Sequence, residues 1–174
     1  RSRADHLSRL ELRLRAGRWQ GTNTDVAGVR MPLLAARGLT LAGSRALILG
    51  AGGAARAAAA ACRELGMTVT VAARQRQAAE AVGDAVDWDK RADTPHTVLI
   101  NATAVCGDDS PWPSAAFQAD LVFDLALSAA PSRLLADASG AGCTTIEAIA
   151  MWFEQGAAQL SWLFDEPFDA ATLA

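Results

Sequence analysis

No tyrosine occurs in the 174 residues, and Lys90 is the one lysine, so 15 of the 16 basic side chains are arginine. Lysine-based proton transfer therefore has a single candidate within the chain. Cysteine is scarce and odd in number: Cys62, Cys106 and Cys143 show no metal-ligand spacing and cannot form a closed disulfide framework, so reduced thiols in a cytoplasmic protein are expected. No stretch approaches the ~18 uninterrupted apolar residues of a membrane span. The opening Arg1-Ser-Arg-Ala-Asp5 lacks the apolar region of a signal peptide. A basic field is also missing. The net charge is −3 and the pI about 5.3, which favours neither nucleic acid nor an anionic membrane as partner. What is present suits one globular domain, or one domain plus a fragment, with 51% apolar and 20% charged residues to build a core.

The chain is organised around Arg45-Ala-Leu-Ile-Leu-Gly50-Ala-Gly52-Gly53-Ala-Ala55-Arg56. Leu47, Ile48 and Leu49 form a short continuous apolar run, as in a strand buried on both faces. Gly50, Gly52 and Ala55 fit G-x-G-x-x-G/A. The first glycine permits a sharp turn, the second lets backbone approach a pyrophosphate, and the small third residue lets the helix lie close to the strand. Ala57 to Leu65 are strong helix formers. Their helix would aim free N–H groups and its positive dipole end at phosphates. The pattern predicts dinucleotide binding; a tight turn in a parallel sheet is the plainer alternative.

Ahead of this stretch, Leu7, Leu10, Leu12 and Leu14 alternate in part, which predicts an edge strand or hairpin with Ala16-Gly17-Arg18-Trp19 as its turn. Gly21 to Asp25 reads as loop. Val26 to Arg37 reads as a helix perturbed at Pro32, with Gly38 as the residue after its end. Beyond the Ala-rich helix, Gly66 is a stop, Met67–Ala72 a strand, Gln77–Val82 a short helix and Thr97–Ile100 a third strand. Asn101-Ala-Thr103 and a loop to Pro113 follow, then a strand at 121–125, a helix at 132–139, a short strand from Cys143 and a last helix from Glu147 to Phe164. Strands alternating with helices predict an α/β fold, a Rossmann-like doubly wound parallel sheet with flanking helices. His6 and His96 match no catalytic pattern, and His96 reads as a surface residue.

A chain that binds NAD usually carries Asp or Glu ~20 residues past the glycines to hold the ribose 2′-OH. Here the second strand runs into Val71-Ala-Ala-Arg74-Gln-Arg76, and no acid occurs before Glu80. Guanidinium groups pair with a 2′-phosphate, so NADP(H) is favoured over NAD.

Taken together, Gly21-x-Asn23-Thr24-Asp25-x-x-Gly28, Gly50-Ala-Gly52-Gly53-Ala54, Ala73-Arg74-Gln75, Asn101-Ala-Thr103 and Met151-x-x-x-Gln155 resemble shikimate dehydrogenase, in order and spacing, over about residues 4–167. The resemblance implies NADP-dependent oxidoreduction of a cyclic hydroxy acid of the shikimate or 3-dehydroshikimate type. It implies a remnant of a substrate domain or edge hairpin at 1–24, an NADP-binding Rossmann domain at 25–145, and at 146–174 a C-terminal helix that would pack on a missing or truncated substrate domain. Asp25 would be the catalytic acid beside a lysine, and Asp25, Gln155 and Asp5 would meet substrate. Gly50, Ala51, Gly52, Gly53, Ala54, Arg74, Arg76, Thr103, Leu125 and Met151 would meet the cofactor. Read without the resemblance, Asp25 is a helix N-cap, Gln155 a surface glutamine and Met151 core filling.

The chain also departs from the family pattern. No lysine precedes Asp25, and Lys90 lies on the cofactor side. Asp5 stands where the family has an amide. Leu127-Ser-Ala129-Ala-Pro-Ser132 replaces a Tyr-x-Pro-x-x-Thr pattern, and Glu147-Ala148 replaces Asp-Gly. These departures predict a chain that binds NADP(H) but turns over little alone. The rivals are a diverged, non-catalytic NADP module and an enzyme of this type with another substrate, such as quinate. Trp152, Phe153, Leu160, Trp162, Leu163 and Phe164 load the last helix with apolar surface. Left uncovered, that surface invites a homodimer or contact with the missing substrate domain.

Overall fold

The computed structural model describes residues 11–36, 41–113, 115–129 and 132–173. Leu7, Leu10, Asp5, His6 and Gly38, singled out above, lie outside the described residues. β1 (Glu11–Arg15) and β2 (Arg18–Thr22) form an antiparallel hairpin of their own. Its turn is only Ala16-Gly17, both at positive φ, so Arg18 and Trp19 belong to the strand. Gly21 and Thr22 likewise complete β2 rather than forming loop. The hairpin is turned against the usual pattern. Leu12 and Leu14 point outward at 60% exposure and Trp19 at 71%, while Glu11 points inward and is buried.

α1 (Asp25–Ala35) follows and runs through Pro32. Then come β3 (Arg45–Leu49), α2 (Gly53–Glu64), β4 (Thr68–Ala73), α3 (Arg76–Glu80) and β5 (Asp84–Asp87), with a 3-10 turn at Trp88–Asp93. β6 (Val98–Asn101), β7 (Leu121–Asp124), α4 (Arg133–Gly140), β8 (Thr144–Ile146) and α5 (Ala148–Phe164) complete the order, before a last 3-10 turn at Ala170–Thr172. All six strands after the hairpin pair in parallel, in the order β5-β4-β3-β6-β7-β8. This is the doubly wound dinucleotide-fold order. The chain builds outward from β3 to β5, then returns to the other side of β3 at β6. That reversal opens a crevice beyond the carboxyl ends of β3 and β6, where such sheets bind ligands.

Alternate residues of each strand feed two cores. Ala46 and Ile48 join Val29, Leu33, Ala55, Ala58, Ile100 and Phe123 on one face; Leu47 and Leu49 join Leu99, Val122, Trp112, Leu134 and Ala138 on the other. Fully burying one such Leu, Ile or Phe contributes roughly 1.5–3 kcal/mol, which is why the central strands tolerate no polar side chain before their ends. The alanines of α2 let that helix settle close to the sheet. Ala55, Ala57, Ala58, Ala59 and Ala61 are all inaccessible to solvent.

His96 is not a surface residue. It is 3% exposed and packs edge-to-face on Trp112 at 5.3 Å, which itself stacks on Phe117. Among the described residues no helix is long and apolar enough to cross a membrane.

Candidate functional site

The glycine turn meets the crevice first. Gly50 follows β3 at φ +106°, and its N–H donates to the Ala72 carbonyl at 2.8 Å. A Cβ there would lie 2.7 Å from the Ala102 carbonyl oxygen and 3.3 Å from the Thr103 nitrogen, so the fold itself requires this glycine. Gly52 and Gly53 differ. Neither has positive φ, and a Cβ on either would meet nothing within 4 Å. Packing within the chain gives no reason for glycine at these two positions, and the space above them is open.

α2 begins here with Gly52 as its N-cap. No side chain caps it, and no acidic residue occupies its first turn. The amides of that turn have no intrahelical acceptor and point into the open space above Gly52 and Gly53, as an anion site requires. A dinucleotide diphosphate therefore fits the residues present.

The neighbouring strand ends are fastened to this turn. Leu49 pairs with Asn101, and Asn101 with Asp124, across β3, β6 and β7. Buried Asn101 donates through Nδ2 to the Asp124 carboxylate at 2.8 Å and to the Val105 carbonyl at 3.0 Å. Its Oδ1 accepts from the Thr103 amide at 3.0 Å and hydroxyl at 2.7 Å. Asp124 also accepts from the Ser132 hydroxyl at 2.5 Å and the Ala126 amide at 3.0 Å. The Leu125 amide donates to the Asn101 carbonyl at 2.9 Å. These bonds bring Thr103 and Leu125 to one rim with the glycine turn. Beside them a cavity of about 490 Å³ opens between the ends of β7 and β8, lined by Asp124, Leu127, Ser128, Ser132, Glu147 and Ala148 among others.

Arg74 and Arg76 follow β4. Arg76 is engaged, at 2.7 Å with Asp87 and 3.0 Å with Glu80. Arg74 is exposed, and among the described residues no hydrogen bond or ion pair holds its guanidinium. Of the two, Arg74 is the one with an unengaged guanidinium among the described residues.

A second cluster forms where α1 crosses α5. A Cβ at Gly28 would stand 2.8 Å from the Met151 carbonyl oxygen and 3.1 Å from the Gln155 Cβ, so the small residue permits the crossing. Asp25 sits one turn before Gly28 on the same helix face. Gln155 also lines a cavity of about 360 Å³ with Trp152, Gly156, Gln159 and Leu173.

Asp25 is not the N-cap. Thr24 holds that position, and Asp25 is the first helical residue, its amide donating to Asn23 Oδ1 at 2.9 Å. Partial burial raises the Asp25 pKa above the ordinary aspartate value, and the nearby Glu11 carboxylate raises it further. Sequence reasoning missed Glu11. It is 5% exposed and accepts from the Thr24 hydroxyl at 2.7 Å and the Thr24 amide at 3.3 Å. Lys90 stands exposed in the 3-10 turn after β5 and joins neither cluster. No group of three or more His, Cys, Asp or Glu among the described residues could hold a metal ion.

No protein-family model matches the chain. It is 43% identical over 149 residues to shikimate dehydrogenase (NADP(+)) of Halobacterium salinarum, an alignment that spans 79% of this chain and 56% of that protein. The fold superposes on the crystal structure of shikimate 5-dehydrogenase from Thermus thermophilus, in complex with NADP(H) and shikimate, with TM-score 0.79 and 33% identity, over 92% of this chain and 63% of that one. It also superposes on ligand-free 5-ketofructose reductase of a Gluconobacter species, with TM-score 0.74 and 29% identity, over 92% of this chain and 64% of that one. The chain thus spans somewhat more than half the length of the curated relatives it matches. The glycine turn, the α1–α5 crossing and the strand order occur here together with this similarity to shikimate dehydrogenases, over about four fifths of the chain.

Proposed function

We propose that this chain is the NADP-binding part, with some of the substrate contacts, of an oxidoreductase that interconverts a cyclic hydroxy acid of the shikimate class and its ketone. The observation that carries the reading is the pair Gly52 and Gly53, glycines without a packing role, under the uncapped start of α2. The relatives named for NADP(+) support the cofactor. In this reading residues 1–24 belong to the substrate side, 25–145 bind nucleotide and 146–174 return to the substrate side.

The amides of Ala51 to Ala54 hold the diphosphate, and Arg74 takes the 2′-phosphate. Thr103, Leu125 and Met151 border the nicotinamide, which supplies or accepts hydride when bound. Asp25 and Gln155 receive substrate hydroxyls at the α1–α5 crossing, with the Asp25 carboxylate as an acceptor beside the reacting oxygen. Asp5, outside the described residues, is proposed as a substrate contact from the motif alone.

One departure favours a second substrate. Leu127, 63% exposed at the rim of the 490 Å³ cavity, stands where the family pattern has tyrosine. A screen of shikimate, quinate and ketosugars distinguishes the cases, and a chain that binds NADPH but none of these is a binding module. The test of the main reading is nucleotide preference. NADP+ should bind more tightly than NAD+, and Arg74→Ala should remove that preference, weakening NADP+ by about 10–150-fold, the worth of one charge-assisted contact of roughly 1.5–3 kcal/mol. Equal affinity of the unaltered chain for the two dinucleotides refutes it.

A further inference from the structure

A buried carboxylate on a strand is costly unless it serves something, because removing an ion from water is repaid only by good partners. Glu11 is such a group. The strand bearing it exposes Leu12 and Leu14 so that Glu11 faces inward. A one-residue slip of register would bury the leucines and expose the acid. The arrangement therefore gives up apolar burial for two hydrogen bonds, both to Thr24.

Thr24 is the residue immediately before Asp25 and the N-cap of α1. Its own carbonyl accepts from the Gly28 amide at 3.0 Å, at the point where α1 touches α5. Glu11 thus grips one end of a short segment, Thr24 to Gly28, whose other end is fixed by Met151 and Gln155. Asp25 lies between.

We propose that Glu11 is a positioning residue for Asp25, holding the first turn of α1 in place through Thr24 and setting the charge that Asp25 faces. This rests on the assignment of Asp25 to the substrate site. Other charged groups on the described elements around α1 are paired elsewhere or exposed. Arg13 of β1 binds Asp165, Arg30 of α1 lies 3.7 Å from Glu64, Arg56 of α2 is exposed and Glu154 of α5 stands near Asp169. Among the described residues, Glu11 is the charged group that adds to partial burial in raising the Asp25 pKa.

The experiment follows the Asp25 carboxyl by carbon NMR titration in the 174-residue chain, in unaltered form and as Glu11→Gln. The amide keeps the shape and one acceptor but removes the charge. The Asp25 titration should move to lower pH, and shikimate binding in the presence of NADP+ should weaken several-fold, while NADP+ affinity stays essentially unchanged. Thr24→Val, which deletes one of the two donors and leaves Glu11, is the second variant should Glu11→Gln not fold. It should weaken shikimate binding in the same direction. An Asp25 titration unchanged by Glu11→Gln, or shikimate binding unchanged by Thr24→Val, overturns the proposal. Asp25→Asn separates the underlying assignment. If it leaves shikimate binding intact, the substrate role of Asp25 falls, whereas an Asp25 titration that still depends on Glu11 upholds their coupling.

Discussion

Changing Gly52 to alanine separates a glycine kept for the fold from one kept for a ligand. At Gly52 the backbone has φ −80° and ψ −163°, an extended conformation open to alanine, and the added Cβ meets no atom within 4 Å. Two small effects on stability oppose each other. Restricting the unfolded chain contributes about 0.4–1 kcal/mol in favour of alanine. Alanine is a poorer N-cap than glycine by roughly 0.5–1 kcal/mol. The net change should stay within about 0.5 kcal/mol, or a Tm shift of about 2 °C for a chain of this length. Binding has no such compensation. The methyl group would stand where a diphosphate must approach the amides, and each charge-assisted bond lost costs roughly 1.5–3 kcal/mol.

Thermal melts read both effects at once. At a ligand concentration about 100 times Kd, NADP+ should stabilise the unaltered chain by about 2.7 kcal/mol, raising Tm by about 5–11 °C. Gly52→Ala should melt like the parent without nucleotide and show little or none of that rise. Gly50→Ala is the contrast. With φ +106° and a Cβ 2.7 Å from the Ala102 oxygen, it should destabilise the free protein by about 2 kcal/mol or more. A Gly52→Ala protein that keeps the full nucleotide-induced rise refutes the placement of the diphosphate.

Two further outcomes concern the scaffold. Gly28→Ala should lower Tm, because crowding at 2.8 Å costs about 1–3 kcal/mol and outweighs the ~1 kcal/mol gained in helix propensity, whereas Gly156→Ala, which meets only Leu173 Cδ1 at 3.5 Å, should raise it. A change of the same sign in both variants would contradict the tight crossing of α1 and α5. Stability should also decline in acid through His96. Its Nδ1–H donates to the Thr94 carbonyl at 2.7 Å, and Nε2 is buried with no partner among the described residues. Burial lowers its pKa below the ordinary 6.5, only partly opposed by the Thr94 bond. The unfolded chain then binds the proton more readily, so the stability present above pH 6.5 is lost progressively as pH falls below that value toward the folded pKa. Urea midpoints at about pH 7.5 and about pH 5, on either side of the ordinary histidine value, should differ less in His96→Phe than in the parent when followed by tryptophan fluorescence.

Much of the architecture could be read from residue patterns because its signals are local. The apolar run before Gly50 became β3, the alanines became α2, and Ser132 caps α4, its hydroxyl accepting from the Leu135 amide. Asp84–Asp87 escaped notice because two of its four residues are acidic; it forms β5 as an edge strand whose Asp87 pairs with Arg76 in open solvent. Leucine alternation in the hairpin marked a strand but not which side faces inward, since that depends on Thr24, thirteen residues away. For the same reason Glu11 read as one more surface charge. His96 was misplaced because the rings that cover it, Trp112 and Phe117, come from a loop with no periodicity of its own. The crossing of α1 and α5 left a trace in Gly28 and in the Met151–Gln155 spacing, but their contact is a fact of tertiary packing.

The end of α5 has a consequence for how the molecule can move. Asp165 closes that helix in a left-handed conformation and receives Arg13 at 2.9 Å and Arg15 at 2.8 Å, while Arg13 also donates to the Trp162 carbonyl and lies over its indole. Hairpin and terminal helix are thereby buckled into a single lever, although 152 positions separate Arg13 from Asp165 along the backbone. Whatever tilts the hairpin carries the end of α5 with it. The ionic half of that buckle loosens as salt rises; the stacked guanidinium does not.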